Sequence, residues 1–231
     1  MADHMPLVVA GFVILVVVAL VVMFLLDGKQ HEENQAFAQE RGWRYRHDNS
    51  ELQASCRDLP FGRKGSHRRT QRTFTGEDRG LPFEAFEYHY EISGSGDESS
   101  SYYHYQVTRI TLPHPCPVFS LEPSGLGHTI ANALGMSGTT VDDPEFNKAF
   151  KLSATAAFAA GALGPENRRW ILADPRFRAR SLRLDGTTLT TWHKGKLDKT
   201  DLRHALDFLH DARQLLALEP PPGRPEPVTP Q

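Results

Sequence analysis

Cysteine is nearly absent from this sequence: two residues in 231, Cys56 and Cys116, with no CxxC partner and no metal-ligand spacing. That excludes a disulfide scaffold and a cysteine zinc site, and in a reducing compartment both stay thiols. An excess of one charge is absent too. The formal net charge of -2 removes any general attraction to polyanions. No aromatic residue interleaves with the basic residues of the stretch 63–72, so base stacking has no foothold and no nucleic-acid partner is expected. No acid pair, Cys-His pair or HExxH motif adds weight to a catalytic reading. The glycine-bearing stretch "EPSGLGHTIANALG" has Ile130 where GxGxxG needs its third glycine and carries no Lys-Ser or Lys-Thr pair. "GMSGTT" around Ser137 is GxSG rather than GxSxG, and leads into a strand pattern instead of a helix. No cofactor is expected.

Polar side chains are what "MPLVVAGFVILVVVALVVMFLL", Met5 to Leu26, lacks. From Pro6 onward roughly 21 apolar residues at about 1.5 Å each make a helix of about 31 Å, against a hydrocarbon core of about 30 Å. A cleaved signal peptide needs a basic n-region and a small-x-small site; "MADHM" and "FLLDGKQHEE" supply neither. Residues 6–26 are therefore expected to lie in the lipid bilayer as a permanent anchor. No Lys or Arg precedes the span, whereas Lys29, Arg41, Arg44 and Arg46 follow it, which puts the main domain on the cytoplasmic side of the cell membrane.

The remainder is hydrophilic enough to bring the mean hydropathy of the whole chain to -0.44. After the span, "GKQHEENQAFAQERGW" is a polar helical stalk stopping at Gly42, and "WRYR" alternates like a short strand. "RRTQRTFTG", the turn "EDRG" and "LPFEAFEYHYEI" read as a hairpin, whose second strand pairs in turn with "YYHYQVTRITL". That third strand is expected to end at "PHPCP", where prolines remove ladder donors. "VFSLEP" and "GTTVD" are strand candidates, "FNKAFKLSA" is read as extended, and "GHTIANALG", "TAAFAAGALG" and "PENRRWILAD" are read as helices. "SLRLDGTTLTTW" reads as a hairpin turning at Asp185-Gly186. Leu202, Ala205, Leu206, Leu209, Ala212 and Leu216 form one stripe of a closing helix capped by Asp198. The expected fold is α+β: an N-terminal transmembrane helix (1–27), a stalk (28–42), a mostly antiparallel sheet domain with several helices (43–218) and a disordered proline-rich tail (219–231).

The order of single span, "RGWRYR", "TGEDRGLPFEAFEYHYE", "VTRITLPHPCPVFSLEP", "VDDPEFNKAFKLSA", "RLDGTTLTTWHKG" and amphipathic helix resembles a group of single-span bacterial membrane proteins, chiefly actinobacterial, whose soluble part is a domain of unknown function. The resemblance covers nearly the whole chain. It implies an integral membrane protein and carries no catalytic residue with it.

Two sets of residues carry candidate chemistry. If the strands around "SGSGDESSS" pair symmetrically, Phe86 faces Val107, Tyr88 faces Tyr105, His89 faces His104 and Tyr90 faces Tyr103. The tyrosines then share one face, and the histidines share the other with Glu87 and Glu91. Two cross-strand imidazoles and a carboxylate are a set that can hold a metal; the competing reading leaves the histidines and glutamates facing solvent. The second set is Arg63, Lys64, Arg68, Arg69 and Arg72, whose charges suit anionic lipid headgroups at about 1 kcal/mol each. The arginines of 168–183 alternate as outward strand positions would. The expectation is a binding or scaffolding module for an unknown protein partner at the membrane surface rather than a catalyst. The alternatives are a metal-dependent enzyme centred on His89 and His104, and a lipid-surface sensor.

Overall fold

The computed structural model describes residues 5–62, 64–94, 99–125 and 138–218. In chain order these form α1 (Met5–Gln39), β1 (Arg44–Asp48), a 3₁₀ segment (Ser50–Cys56), β2 (Ser66–Asp78), β3 (Leu81–Ile92), β4 (Ser101–Pro123), α2 (Pro144–Ala149), β5 (Phe150–Ala154), α3 (Ala156–Ala162), α4 (Pro165–Ala173), α5 (Pro175–Ala179), β6 (Ser181–Lys194) and α6 (Lys199–Leu215). The fold is α+β, with every strand pair antiparallel. The side chains of α1 are described at 14–19, 21, 22 and from 28 on; among the described residues no helix is long and apolar enough to cross a membrane.

The sheet is organised by β4. One edge of its first half pairs with β3, and one edge of its second half with β5, while β6 runs along the other side. β1 and β2 extend the sheet beyond β3. The β3–β4 register is Phe86↔Val107, Tyr88↔Tyr105, His89↔His104 and Tyr90↔Tyr103. Side-chain alternation therefore gives two faces of different character. On one, Phe86, Tyr88, Tyr90, Tyr105, Val107 and Trp192 form a core with Cys56, Leu59 and Phe61 of the segment that follows β1. Phe61 stacks on Tyr105 at 4.1 Å and meets Tyr88 at 5.2 Å, and Tyr88 Oη donates to the Gly62 carbonyl at 3.2 Å. The tyrosine row is covered, so it is core and not a groove. A Cβ at Gly62 would collide with the Cys56 carbonyl, so this close approach requires glycine.

The opposite face begins apolar, with Phe83, Ala85, Ile110 and Leu189 buried beneath Leu202, Leu206 and Leu209 of α6. The Asp198 carboxylate caps α6, accepting from the amides of Thr200 and Asp201. The last turns of α1 dock on the sheet edge: Phe37 packs on Trp43 and Phe74, Asn34 Nδ2 donates to Tyr45 Oη at 3.3 Å, and His31 meets Tyr45 and His47. β1 thus runs back along α1. Lys199 pairs with Glu33 at 3.2 Å, and Arg79 of the β2–β3 turn pairs with Asp207, so α6 runs in the same direction as α1.

Several elements depart from expectation. β4 does not stop at "PHPCP". Between Thr111↔Thr188 and Cys116↔Gly186 the register slips, and Pro113 and Pro115 fall inside that bulge, where no ladder donor is required. "SLRLDGTTLTTW" is one continuous strand instead of a hairpin. Gly186 has φ +57° but Asp185 is not left-handed, whereas Arg79 and Gly80 both are (φ +49° and +79°), and there the chain does reverse. "FNKAFKLSA" divides into α2 and β5 because Asp143 caps the Phe146 amide and Pro144 fits the first turn. "GTTVD" contributes only the bridge Thr139↔Leu152. The arginines of 168–183 lie largely on α4 and α5, and Arg180 and Arg183 are buried. The expected helix "GHTIANALG", with His128, and Ser137 fall outside the described residues.

Candidate functional site

At Glu87 the α6-facing side of the sheet turns polar. Glu87 is fully buried, and all four of its lone-pair directions are taken. Oε1 accepts from Gln71 Nε2 at 2.9 Å and His104 Nδ1 at 2.8 Å; Oε2 accepts from Arg72 Nη1 at 3.0 Å and the Leu197 amide at 3.1 Å. Burial pushes this carboxyl up, but His104, Arg72, Gln71 and the Leu197 amide together outweigh it and hold it below the usual carboxylate range. The convergence has a local cause. Between Gln71↔Glu87 and Phe74↔Ala85, β2 carries one extra residue, with Arg72 in the left-handed region at φ +52°. A regular strand sends consecutive side chains to opposite faces; this bulge lets both Gln71 and Arg72 reach Glu87.

Next to it lies a second buried polar group. Gln106 Nε2 donates to the Lys196 carbonyl at 2.7 Å and to Asp201 Oδ2 at 2.8 Å. Arg180 contacts His193 Nδ1 at 2.8 Å and Asp201 Oδ1 at 3.4 Å. Burial, then the Arg180 charge, push His193 down to about 4, against a smaller opposing pull from Asp201. His193 is therefore neutral, and its Nδ1 accepts from Arg180.

Of the expected metal set, the structure brings Glu87, His89 and His104 together, with ligand atoms within 4.8 Å of one another. Glu91 does not join them: it pairs with His67 at 2.9 Å. His89 Nδ1 is buried without a hydrogen-bond partner. Burial, and then the neighbouring His104, lower its proton affinity. Any ion here must take a lone pair from a carboxylate that already accepts four bonds, and must sit beside the Arg72 guanidinium. Glu87 belongs to the interior and does not face solvent.

Of the expected lipid set, Lys64 and Arg69 are exposed, Arg68 is half-buried, and Arg63 lies outside the described residues. Arg72 points inward to Glu87, so it is not a surface charge. Arg68 lines a pocket of about 490 Å³ with Ser50, Gln53 and Arg57. Sequence reading missed His210, buried and paired to Asp78 at 2.9 Å, and Arg176, which bridges Asp174 and Asp211. Both interactions span long sequence separations or short helices with no periodic signature. Both cysteines are free thiols. Burial pushes Cys56 up to about 11.

Fold and site together define an antiparallel α+β domain closed on both sheet faces, with a saturated carboxylate at its centre. No family model and no curated protein matches the sequence. Among solved structures, the fold is similar to that of the mycobacterial trehalose monomycolate transport factor A, TtfA, with a TM-score of 0.57 and 12% identity over 84% of this chain and 98% of that one. At that identity the likeness is one of fold.

Two outcomes are expected. Glu87→Gln breaks the buried ion pair with Arg72 and lowers unfolding free energy by about 3–5 kcal/mol in urea titrations, the range for breaking such a pair. His193 is neutral when folded, whereas an unfolded histidine protonates near 6.5. His193 therefore costs stability as pH falls from about 6.5 towards 4. Melting curves of His193→Gln between pH 7 and 5 should fall less steeply than those of the unsubstituted chain.

Proposed function

We propose that this chain is a single-pass membrane protein whose α+β domain is a binding and scaffolding module held at the cytoplasmic membrane surface. The observation that carries the reading is the uncharged run Met5 to Leu26, contained in one helix that continues without a break to Gln39. Long enough to span a hydrocarbon core, that run ends in turns that pack into the domain through Ala38, Phe37 and Asn34. The domain is thereby fixed to its anchor and does not hang from a flexible linker. Lys29, Arg41, Arg44 and Arg46, which follow the run, support the cytoplasmic side.

The fold neighbour is a transport factor by name, which is in keeping with a binding module. Glu87 supports it as well, since a carboxylate with four donors has no capacity left to move a proton or hold a substrate. The unpartnered His89 Nδ1 near His104 favours a second reading, a metal-dependent enzyme. Elemental analysis of the purified full chain separates the two. No stoichiometric metal is expected; a metal present in the chain and lost in His89→Ala would establish the second reading.

Anchoring and sidedness are tested in cells. The chain is expected to stay in the pellet through an alkaline carbonate wash and to be released only by detergent; release by carbonate would remove the span. An impermeant maleimide should leave Cys116 unlabelled until cells are lysed, and labelling in intact cells would reverse the orientation. Cys56, buried with a raised pKa, stays silent in that assay.

A further inference from the structure

On the tyrosine side of the sheet the apolar row ends in a single step. Val107 pairs with Trp192, and both belong to the core beneath Cys56, Leu59 and Phe61. Two residues along, on the same face, Arg109 pairs with Thr190. β6 bends at Gly186, where φ is +57°, so that Arg183 and Thr190 meet in one place. A cavity of about 160 Å³ is left between these residues and the edge of the covering segment at Ser55 and Asp58. Most ligand clefts measure about 300–1,000 Å³, so this one suits a ligand of few non-hydrogen atoms.

Its charges are sorted by depth. The Arg183 and Arg109 side chains are withdrawn from solvent, at 8% and 13% exposure, whereas Asp185 is 51% exposed and Asp58 is exposed as well. Two cations therefore form the inner wall and two carboxylates the mouth. Of the five N–H groups on each guanidinium, Arg109 gives one to Ser55 Oγ at 3.1 Å and Arg183 gives one to Asp185 Oδ2 at 2.6 Å. Glu84 stands 3.6 Å from Arg109 Nε, beyond hydrogen-bonding distance, and that Nε is buried without a hydrogen-bond partner. Arg109 lies over the Phe86 ring at 4.9 Å, which holds the side chain in place. Glu122 also feels the Arg183 charge, but burial pushes its carboxyl up to about 7 and it stands outside the cavity lining.

Buried guanidinium groups this sparsely bonded call for an acceptor, and a carboxylate takes two parallel bonds from one of them. A simple anion gains no long-range attraction here, because Asp58 and Asp185 cancel the two arginines. A ligand with an ammonium beside its carboxylate matches both zones at once.

We propose that this cavity is a binding site for a small α-amino acid. Arg109 and Arg183 hold the α-carboxylate, Asp58 and Asp185 hold the α-ammonium, and Leu59 and Thr190 border the side chain. The site goes beyond the scaffolding reading, since it gives the module a soluble ligand, and it does not depend on the anchor.

The purified full chain is titrated calorimetrically with glycine, L-alanine and L-serine, each to about 10 mM. At least one is expected to bind. N-acetyl-L-alanine and L-alaninamide each lack one of the two charges, and should bind at least tenfold more weakly than the best of the three. Asp58→Asn, a change at the exposed mouth, should weaken binding at least fivefold and leave the melting temperature unchanged. Arg109→Lys keeps the charge but loses the planar fork, and should weaken binding as much. No binding of any of the three, equal binding of a blocked analogue, or full affinity in both Asp58→Asn and Arg109→Lys overturns the proposal.

Discussion

The Glu87 carboxylate is the interaction on which this domain's shape depends. It takes hydrogen bonds from β2 through Gln71 and Arg72, from β4 through His104, and from the loop before α6 through the Leu197 amide. A carboxylate with no exposure is tolerable only if its lone pairs are all used, and here the four donors use them. The strain of Arg72 at φ +52° is tolerated because it delivers a charge to that carboxylate. Three elements are therefore held in one relation by one side chain.

The consequences extend to α1. α6 is fixed to the sheet by the Leu197 contact and by Gln106 to Asp201, and its first turn meets α1 through Lys199 and Glu33. α1 is independently packed on β1 and β2 through Phe37, Asn34 and His31. A helix, a sheet and a second helix locked in this way form one body whose parts are held in register by side-chain packing. Such a body suits a module that presents one surface repeatedly to the same partner.

Much of this was legible in the sequence. Alternation in "FEYHYE" and "YYHYQV" gives the β3–β4 register and the aromatic face, because a one-residue slip would expose the whole row. The stripe from Leu202 to Leu216 and the Asp198 cap give α6. The burial of Glu87 was not legible: parity puts it on the face opposite the tyrosines, and a charged residue there reads as solvated. Its partners Arg72 and Leu197 come from a bulge and from a loop 110 residues away, neither of which leaves a periodic trace. The "LDGTT" turn chemistry misled for a related reason: β6 has β4 as a long partner, and pairing with it outweighs the local preference for a reversal. The prolines of "PHPCP" end a strand only where the ladder needs their donors, and here the bulge removes that need.

The central claim, that one carboxylate couples the hairpin, β2 and α6, is tested most directly by hydrogen exchange on the full chain and on Glu87→Gln. If the coupling holds, amide protection falls together in residues 68–73, 87–91, 102–106 and 195–201, while residues 31–39 and 205–212 keep theirs. Loss confined to the Leu197 amide, or unchanged protection throughout, would contradict the account.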